Sequence, residues 1–171
     1  MTITQAGLGT ANTLISELGA SPVELLDMAA RYAQEIAELL PTADPSLTER
    51  SYELLELTDV LEIWAIHWPK DRGLELHDHG GSSGALWVVS GTLQEHSVGQ
   101  GGGLLRRSIE VGGGSAFGPR YIHDVTNAAD TPATSIHVYS PPMPSMTFYR
   151  QEGSDLVVNR AEYRADPSWA P

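Results

Sequence analysis

The sequence predicts a mainly β protein, a small barrel or sandwich with α-helices at its amino end. Apolar residues keep helical spacing in the first third of the chain, and after Thr58 they fall into short alternating or β-branched runs separated by Gly-rich and Pro-rich turns. With 171 residues, of which 41% are hydrophobic, the chain is long enough for one domain with a core. We expect a single domain over 1–171, with a helical part at 1–57 and a β-barrel at 58–160.

The clearest helix begins after Ser21. Ser21 is placed as its N-cap, Pro22 takes the first helical position, Glu24 completes a capping box and Pro41 ends the helix. Its apolar residues share one face, which we expect to pack on the rest of the domain: Leu25, Met28, Ala29, Tyr32, Ile36 and Leu39. Two further helices are expected, near 13–18 and over about 46–57.

The strands are expected wherever β-branched or alternating runs lie between turn residues. The predicted strands are 60–68, 84–89, 92–98, 104–111, 115–117, 122–125 and 134–139. The Gly-rich segment 99–103 lies between two of them and lacks a following Lys-Ser/Thr, so it is interpreted as a hairpin connection and not a phosphate loop.

Composition limits the classes of partner. The net charge of −12 and only ten Lys and Arg residues disfavour nucleic acid and anionic membranes, so a small molecule is the expected partner. The chain has no cysteine, which excludes disulfides, thiolate ligands and thiol nucleophiles. It shows neither a signal-peptide pattern nor an apolar run near twenty residues, and the cytoplasm is the expected location. The sequence leaves the oligomeric state open.

Histidines at 77, 79 and 123 form the most informative motif. Two imidazoles separated by one residue point to the same face of a strand, so His77 and His79 can reach one metal ion, and His123 on a neighbouring strand can complete the set. The acidic ligand that often follows such a pair is absent, since Ser83 and Gly84 occupy its positions. Three neutral imidazoles suit Fe(II), Zn, Ni, Cu or Mn.

A second constellation lies on the last predicted strand. Ser135, His137 and Tyr139 alternate, so their side chains face one way and can hydrogen-bond in a row. Such a row can orient a phenol that donates a proton at neutral pH. Alternatively, the three residues are partly buried polar groups that only satisfy one another.

Together these motifs resemble the cysteine dioxygenase type of thiol dioxygenase in the cupin superfamily. The matching pattern, within about 60–149, is Trp68, Gly73, His77-Asp78-His79, Gly91, Glu95, His123, Asn127, Ser135, His137 and Tyr139 before Ser-Pro-Pro. The resemblance implies a cupin fold, a small β-barrel (double-stranded β-helix) with amino-terminal α-helices. It implies Fe(II) bound by His77, His79 and His123, and a Ser135–His137–Tyr139 relay. The implied reaction oxidises a small thiol with O2 to its sulfinate.

The sequence departs from the animal enzymes at two positions. Gly84 stands where those enzymes carry the cysteine that is cross-linked to the active-site tyrosine, so no thioether can form. Tyr52 stands where the family's carboxylate-binding arginine is expected, and Arg50 would lie on a different face of the predicted helix. Arg120, close to His123, is the expected replacement, with Tyr52 as a second substrate-binding candidate. Cysteine, 3-mercaptopropionate and similar thiols all remain candidate substrates.

Two other functions stay open. One is a metal-binding cupin that senses or stores a small metabolite without turnover. The Ser135–His137–Tyr139 relay argues against this function, because binding alone does not need a relay. The other is a cupin enzyme acting on a non-thiol substrate, a class that commonly keeps the acidic ligand missing here.

Overall fold

The structure, a computed structural model, describes residues 20–36, 46, 48–99, 103–166, 169 and 171. Within them the chain forms one helix and eleven strands. The elements are α1 (Pro22–Ile36), β1 (Ser51–Leu57), β2 (Glu62–Trp68), β3 (Gly73–His77), β4 (Ser83–Ser90), β5 (Thr92–Val98), β6 (Leu104–Glu110), β7 (Gly114–Phe117), β8 (His123–Thr126), β9 (Ala133–Ser140), β10 (Ser145–Glu152) and β11 (Asp155–Tyr163). Over these ranges no helix has both the length and the apolar character needed to cross a membrane.

The strands form two antiparallel sheets that enclose the main core. One sheet has five strands in the order β1-β2-β9-β4-β7, and the other has six in the order β11-β10-β3-β8-β5-β6. Large side chains from both sheets are buried between them, among them Trp68, Leu86, Leu93, Val125 and Phe148. The predicted mainly β fold class is confirmed, and the functional motifs lie on the inner faces of these two sheets.

Helix α1 covers the outer face of the five-stranded sheet. Leu25, Met28 and Ala29 are buried in a second cluster, against sheet residues that include Ile63 and Ile136. Strands β2 and β9 are therefore buried along their whole length, on both faces. This double burial explains why their sequences combine apolar residues with the polar residues of the inner face.

The predicted capping box begins α1 as expected. The backbone N–H and the hydroxyl of Ser21 both donate to a carboxylate oxygen of Glu24, at 2.8 and 2.7 Å. The Glu24 N–H donates in return to Ser21 Oγ at 3.4 Å. The carboxyl-terminal part of the predicted helix, beyond Ile36, and the helix expected near 13–18 lie outside the described residues.

The seven predicted strands are present with small shifts at their ends, and the run 92–98 coincides with β5. Four strands were not predicted: β1, which was expected to be helical, and β3, β10 and β11. Strand β3 has only five residues, and β11 is mostly exposed, so neither carries the alternation that identifies a half-buried strand.

The helix predicted over 46–57 is wrong. Residues Ser51–Leu57 form β1, which pairs antiparallel with β2 and has a register shift between Leu54 and Glu56. Its Leu and Glu residues favour a helix, but the free edge of β2 supplies a complete ladder of backbone partners, and tertiary pairing overrides that preference. Arg50 and Tyr52 therefore lie at the start of an extended segment, where residues two apart point to the same side.

Candidate metal centre

The three predicted ligands meet between the two sheets. His77 ends β3 and His123 begins β8, and the two residues face each other directly in the antiparallel pairing. His79 follows two residues after β3, and its Nε2 lies 3.3 Å from Nε2 of His123. One nitrogen from each of the three rings lies within 4.8 Å of the others, and all three side chains are buried.

The protonation of the rings suits metal binding. Burial lowers the pKa of His77 and of His79 well below the usual value, and the neighbouring histidines lower both further. Both imidazoles are therefore neutral at pH 7 and each offers a lone pair. His77 Nδ1 lies 2.7 Å from the Glu75 carbonyl oxygen, which can only accept, so the proton is on Nδ1 and Nε2 is the free ligand atom.

Glu95 orients His123 from behind. Its carboxylate oxygen lies 2.7 Å from His123 Nδ1, and Arg107 and Ser115 donate to the same carboxylate at 2.6 and 3.0 Å. Burial on its own would raise the pKa of Glu95, but the hydrogen bonds and charges of His123 and Arg107 lower it to about 2. The ionised carboxylate holds the His123 Nδ1 proton and leaves Nε2 free for a metal.

His79 is oriented by ring stacking. Phe117 stacks on its imidazole with centroids 4.4 Å apart, and Tyr139 lies at 5.5 Å and 30°. His79 Nδ1 is buried and has no hydrogen bond of normal geometry within the described part of the chain, although the Tyr121 backbone is close enough to influence its pKa. The ring plane of His79 is therefore fixed by stacking, whereas the ring planes of His77 and His123 are fixed by hydrogen bonds.

The predicted row on β9 is hydrogen-bonded from end to end. Ser135 Oγ lies 2.8 Å from His137 Nε2, and His137 Nδ1 lies 3.1 Å from the Tyr139 hydroxyl. Trp68 extends the row, since its indole N–H donates to Ser135 Oγ at 2.8 Å. Because Tyr139 also stacks near His79, the row ends beside the candidate metal ligands.

The indole donor sets the direction of this row. Burial lowers the pKa of His137 to about 3, so the ring is neutral and carries one N–H. Ser135 Oγ accepts the indole N–H of Trp68, and His137 Nε2 is the acceptor that the described residues offer to the buried serine proton, so Ser135 donates to His137 Nε2. His137 Nδ1–H then donates to the Tyr139 oxygen. Burial, followed by the charge of Glu62, raises the pKa of Tyr139, so its O–H stays protonated and free to donate into the site.

Gly84 lies directly opposite Tyr139 in the pairing of β4 with β9. A Cβ atom added at Gly84 would stand 2.5 Å from a ring atom of Phe117 and 2.8 Å from a ring atom of Tyr139. These two rings fill the space next to the tyrosine. The same rings stack on His79, so the glycine allows the packing that orients one candidate ligand.

Arg50 is a partly buried cation at the same site, next to strand β1 and not on the helix that the sequence predicted. Its guanidinium lies 5.1 Å above the Trp68 ring, and its charge lowers the pKa values of His77, His137 and Tyr139. Burial lowers the pKa of Arg50 itself. Its hydrogen bond within the described residues goes to the backbone oxygen of Pro171 at 3.3 Å, and no Asp or Glu side chain there lies within ion-pair distance.

The two residues predicted to bind substrate are placed differently. Tyr52 follows Arg50 at the start of β1, is 45% exposed, and makes an edge contact with Trp64 at 6.3 Å. Arg120 is exposed on the turn before His123 and contacts no acidic group among the described residues. The structure thus brings Tyr52 to the Arg50 side of the barrel and leaves Arg120 in solvent. A role for either in binding remains a prediction.

The donor set fits a divalent first-row metal. Lowered pKa values keep His77 and His79 neutral at pH 7, hydrogen bonds at Nδ1 fix His77 and His123, and all three side chains are buried. No carboxylate among the described residues belongs to the ligand group, and Glu95 reaches it only through His123. Such a set keeps the full positive charge of the ion and leaves open positions for other ligands.

We expect Glu95→Gln to weaken metal binding. The amide can still accept from His123 Nδ1, but the negative charge that makes the imidazole more basic is lost, so affinity should fall by about 10-fold to 100-fold. Glu110→Gln, an exposed carboxylate on the neighbouring β6, is the matched control and should bind as the original protein does. Competition titration with Co(II) and a chelator measures both, and equal affinities would contradict a supporting role for Glu95.

Comparison with known proteins agrees with this architecture. Residues 23–152 match the family described as cysteine dioxygenase type I. A conserved protein with a double-stranded β-helix domain from Klebsiella pneumoniae is 17% identical, with a TM-score of 0.51 and coverage of 69% of this chain and 90% of that one. An oxalate oxidase solved with glycolate is 16% identical, with a TM-score of 0.55 and coverage of 78% and 67%.

A cupin superfamily protein from Desulfitobacterium hafniense is 8% identical, with a TM-score of 0.50 and coverage of 61% and 86%. At such identities these structures establish the shared cupin fold. The family match covers most of the chain and includes His77, His79, His123 and the row on β9. The chain belongs to the cysteine dioxygenase type I family.

Proposed function

We propose that this protein is an iron-dependent thiol dioxygenase that oxidises a small thiol bearing a carboxylate group. Both atoms of O2 are added to the sulfur, so that RSH and O2 give the sulfinic acid RSO2H. The observation that carries the proposal is the position of the Tyr139 hydroxyl at the end of a hydrogen-bonded row beside three histidines of a cysteine dioxygenase type I protein. Neither metabolite storage nor sensing requires such a row.

Fe(II) would be held by His77, His79 and His123. When bound to three imidazoles in this way, it supplies open positions for a thiolate and dioxygen and the redox chemistry that lets them react. The protein supplies neutral ligands in fixed orientations. Burial of all three side chains and of the Phe117 and Tyr139 rings beside them also excludes competing water.

Tyr139 is the proton donor in this proposal. Its O–H is free because His137 donates to its oxygen, and its raised pKa keeps it protonated. The hydroxyl can therefore donate to the substrate sulfur or to oxygen as negative charge develops there. Ser135 and Trp68 hold the imidazole in the tautomer that this arrangement needs.

Arg50 is the carboxylate-binding residue in this proposal, in place of Arg120. A partly buried guanidinium without an Asp or Glu partner gains from an anionic ligand, and its planar fork matches a carboxylate. On binding, the substrate would take over the Nη1 donor that now contacts Pro171. Tyr52, which is close enough to Arg50 to affect its pKa, is the candidate for a second donor to that carboxylate.

The expected partners and cellular location follow from the proposed reaction. A small carboxylate thiol and dioxygen are the proposed partners, and the cytoplasm, where thiols are kept reduced, is the proposed location. The net charge of −12 does not oppose an anionic substrate, because distant surface charges are screened by salt while Arg50 would act on the substrate at short range.

Oxygen uptake by the anaerobically reconstituted Fe(II) protein tests the function. Cysteine or 3-mercaptopropionate should consume one O2 per thiol and give a sulfinate carrying two labelled atoms from ¹⁸O2, detected by mass spectrometry. His77→Ala should remove both metal and turnover. Uptake only with sulfur-free substrates such as oxalate, or a product without labelled sulfinate, would contradict the assignment.

Arg50→Ala is expected to weaken the reaction of a carboxylate thiol selectively. Removing a charged hydrogen-bonding partner costs about 1.5 to 3 kcal/mol, so kcat/KM for cysteine or 3-mercaptopropionate should fall by about 10-fold to 150-fold. Cysteamine, which has no carboxylate, should lose little. Arg120→Ala is the matched control because that arginine is exposed. A selective loss in Arg120→Ala instead would transfer the role back to Arg120.

Tyr139→Phe should lower kcat more than it raises KM. The lost donor acts on charge that develops after the substrate is bound, and removal of one such donor reduces kcat by about 10-fold to 10³-fold. Tyr163→Phe, at an exposed tyrosine on β11, provides the control. An effect confined to KM would assign Tyr139 to binding. Steady-state kinetics with unchanged metal content decide between the two.

A further inference from the structure

Asp78 lies between two candidate metal ligands, and its carboxylate faces away from them. One oxygen, Oδ1, accepts the N–H of Gly80 at 3.0 Å and the N–H of Thr147 at 3.1 Å. The other, Oδ2, accepts the hydroxyl of Tyr149 at 2.6 Å. The Asp78 backbone N–H donates to the Thr147 carbonyl at 3.0 Å. Asp78 is therefore fixed both to the following turn and to strand β10.

The contact with Gly80 closes a turn that has His79 at its centre. A side-chain oxygen bonded to the N–H two residues later forms an Asx-turn, which restricts the backbone of the residue between. Strand β3 has already ended at His77, so its ladder does not hold His79. The chain then passes through Gly80 at φ 60°. A Cβ there would stand 2.6 Å from the Ser145 carbonyl oxygen, so this turn is also packed tightly against the start of β10.

Strand β10 reaches the other ligand as well. Phe148 pairs with His77 in the ladder, and its ring lies 5.9 Å from the His77 imidazole. Its neighbours Thr147 and Tyr149 are the residues that bind the Asp78 carboxylate. Burial, and then the hydrogen bond to Asp78, raise the pKa of Tyr149 to about 12, so the phenol remains a donor. Three consecutive residues of β10 thus fix both the His77 ring and the turn that carries His79.

We propose that Asp78, together with Tyr149, is a positioning residue that sets the orientation of His79 relative to His77 and thereby the affinity and geometry of the metal site. The carboxylate acts through the backbone of the turn and touches neither imidazole. The inference rests on the three-histidine site and not on the identity of the substrate.

Asp124 provides a matched comparison within the chain. It directly follows the ligand His123, as Asp78 follows His77, and it is also partly exposed. Its carboxylate accepts from His96 Nδ1 at 2.8 Å, on the outward face, and no backbone N–H of the described residues binds it. Removal of Asp124 takes away a carboxylate beside a ligand without releasing the turn at His79.

The test uses Co(II) binding to the metal-free protein and its Asp78→Ala, Asp78→Asn, Tyr149→Phe and Asp124→Ala variants. Chelator competition gives the affinity, the visible absorption of bound Co(II) gives the ligand geometry, and thermal unfolding of the metal-free proteins gives the stability. Asp78→Ala should bind about 10-fold to 100-fold more weakly with an altered spectrum. Asp78→Asn should recover most of the affinity, because its amide oxygen can still accept from Gly80 and Thr147. Tyr149→Phe should show a smaller loss, and Asp124→Ala none.

Several results would overturn the inference. If Asp78→Ala unfolds at a lower temperature but binds Co(II) with the affinity and spectrum of the original protein, Asp78 contributes to stability and not to the metal site. If Asp124→Ala loses as much affinity for Co(II) as Asp78→Ala does, the effect comes from the removed charge alone and not from the turn at His79. If Asp78→Ala does not fold, Tyr149→Phe decides, and an unchanged affinity and spectrum there would reject the proposal. Failure of the original protein to oxidise thiols, with these Co(II) results intact, would count against the proposed function only.

Discussion

The pairing of His77 with His123 across β3 and β8 is the contact on which the rest of the site depends. It brings the end of one strand and the beginning of another together between two sheets, at a depth where water is excluded. Burial there keeps His77 neutral, and the surroundings of the ring decide which of its two nitrogens carries the proton. Each ligand is then oriented differently: His77 by a backbone carbonyl, His123 by Glu95 and His79 by stacked rings.

Placing so many polar groups in a core requires that nearly all of them have partners. Ser135 and Glu95 are buried and fully hydrogen-bonded, and Asn127 donates to the backbone oxygens of Trp68 and Thr131 at 2.9 and 2.8 Å. The Asn127 amide thereby ties the end of β8 to the end of β2, which carries Trp68. An unsatisfied group at such a depth costs about 1 to 3 kcal/mol, so these partners stabilise the fold as well as the site.

The sequence allowed prediction of those parts of the site that depend on local periodicity. Alternation along β9 placed Ser135, His137 and Tyr139 on one face, and the spacing of the histidines predicted a common metal cluster. Longer-range features were not predictable. The sequence of β1 favours a helix, and only the edge of β2 makes it a strand, so the face on which Arg50 lies was misjudged.

Glu95 shows the same limit, since its partner His123 is 28 residues away along the chain. Its position in the family pattern was visible, but a role required the pairing of β5 with β8, which places the two strands side by side. Strand β10 was not predicted, although its residues Thr147 and Tyr149 donate to the Asp78 carboxylate at the turn that carries His79. Residues that orient ligands from neighbouring strands become apparent only after the sheet is assembled.

The environment of Arg50 bears on how such a pocket selects its ligand. A partly buried cation is costly unless an anion or several acceptors surround it, and the hydrogen bond of Arg50 within the described residues goes to one backbone oxygen, that of Pro171. Glu162, the acidic group whose charge acts on Arg50, is already hydrogen-bonded to Arg160 at 2.9 Å. A planar carboxylate can accept from both prongs of the guanidinium, whereas a neutral ligand would leave the cation with its single 3.3 Å contact. Under the proposed function, this difference would favour an anionic substrate through the charge of Arg50 itself.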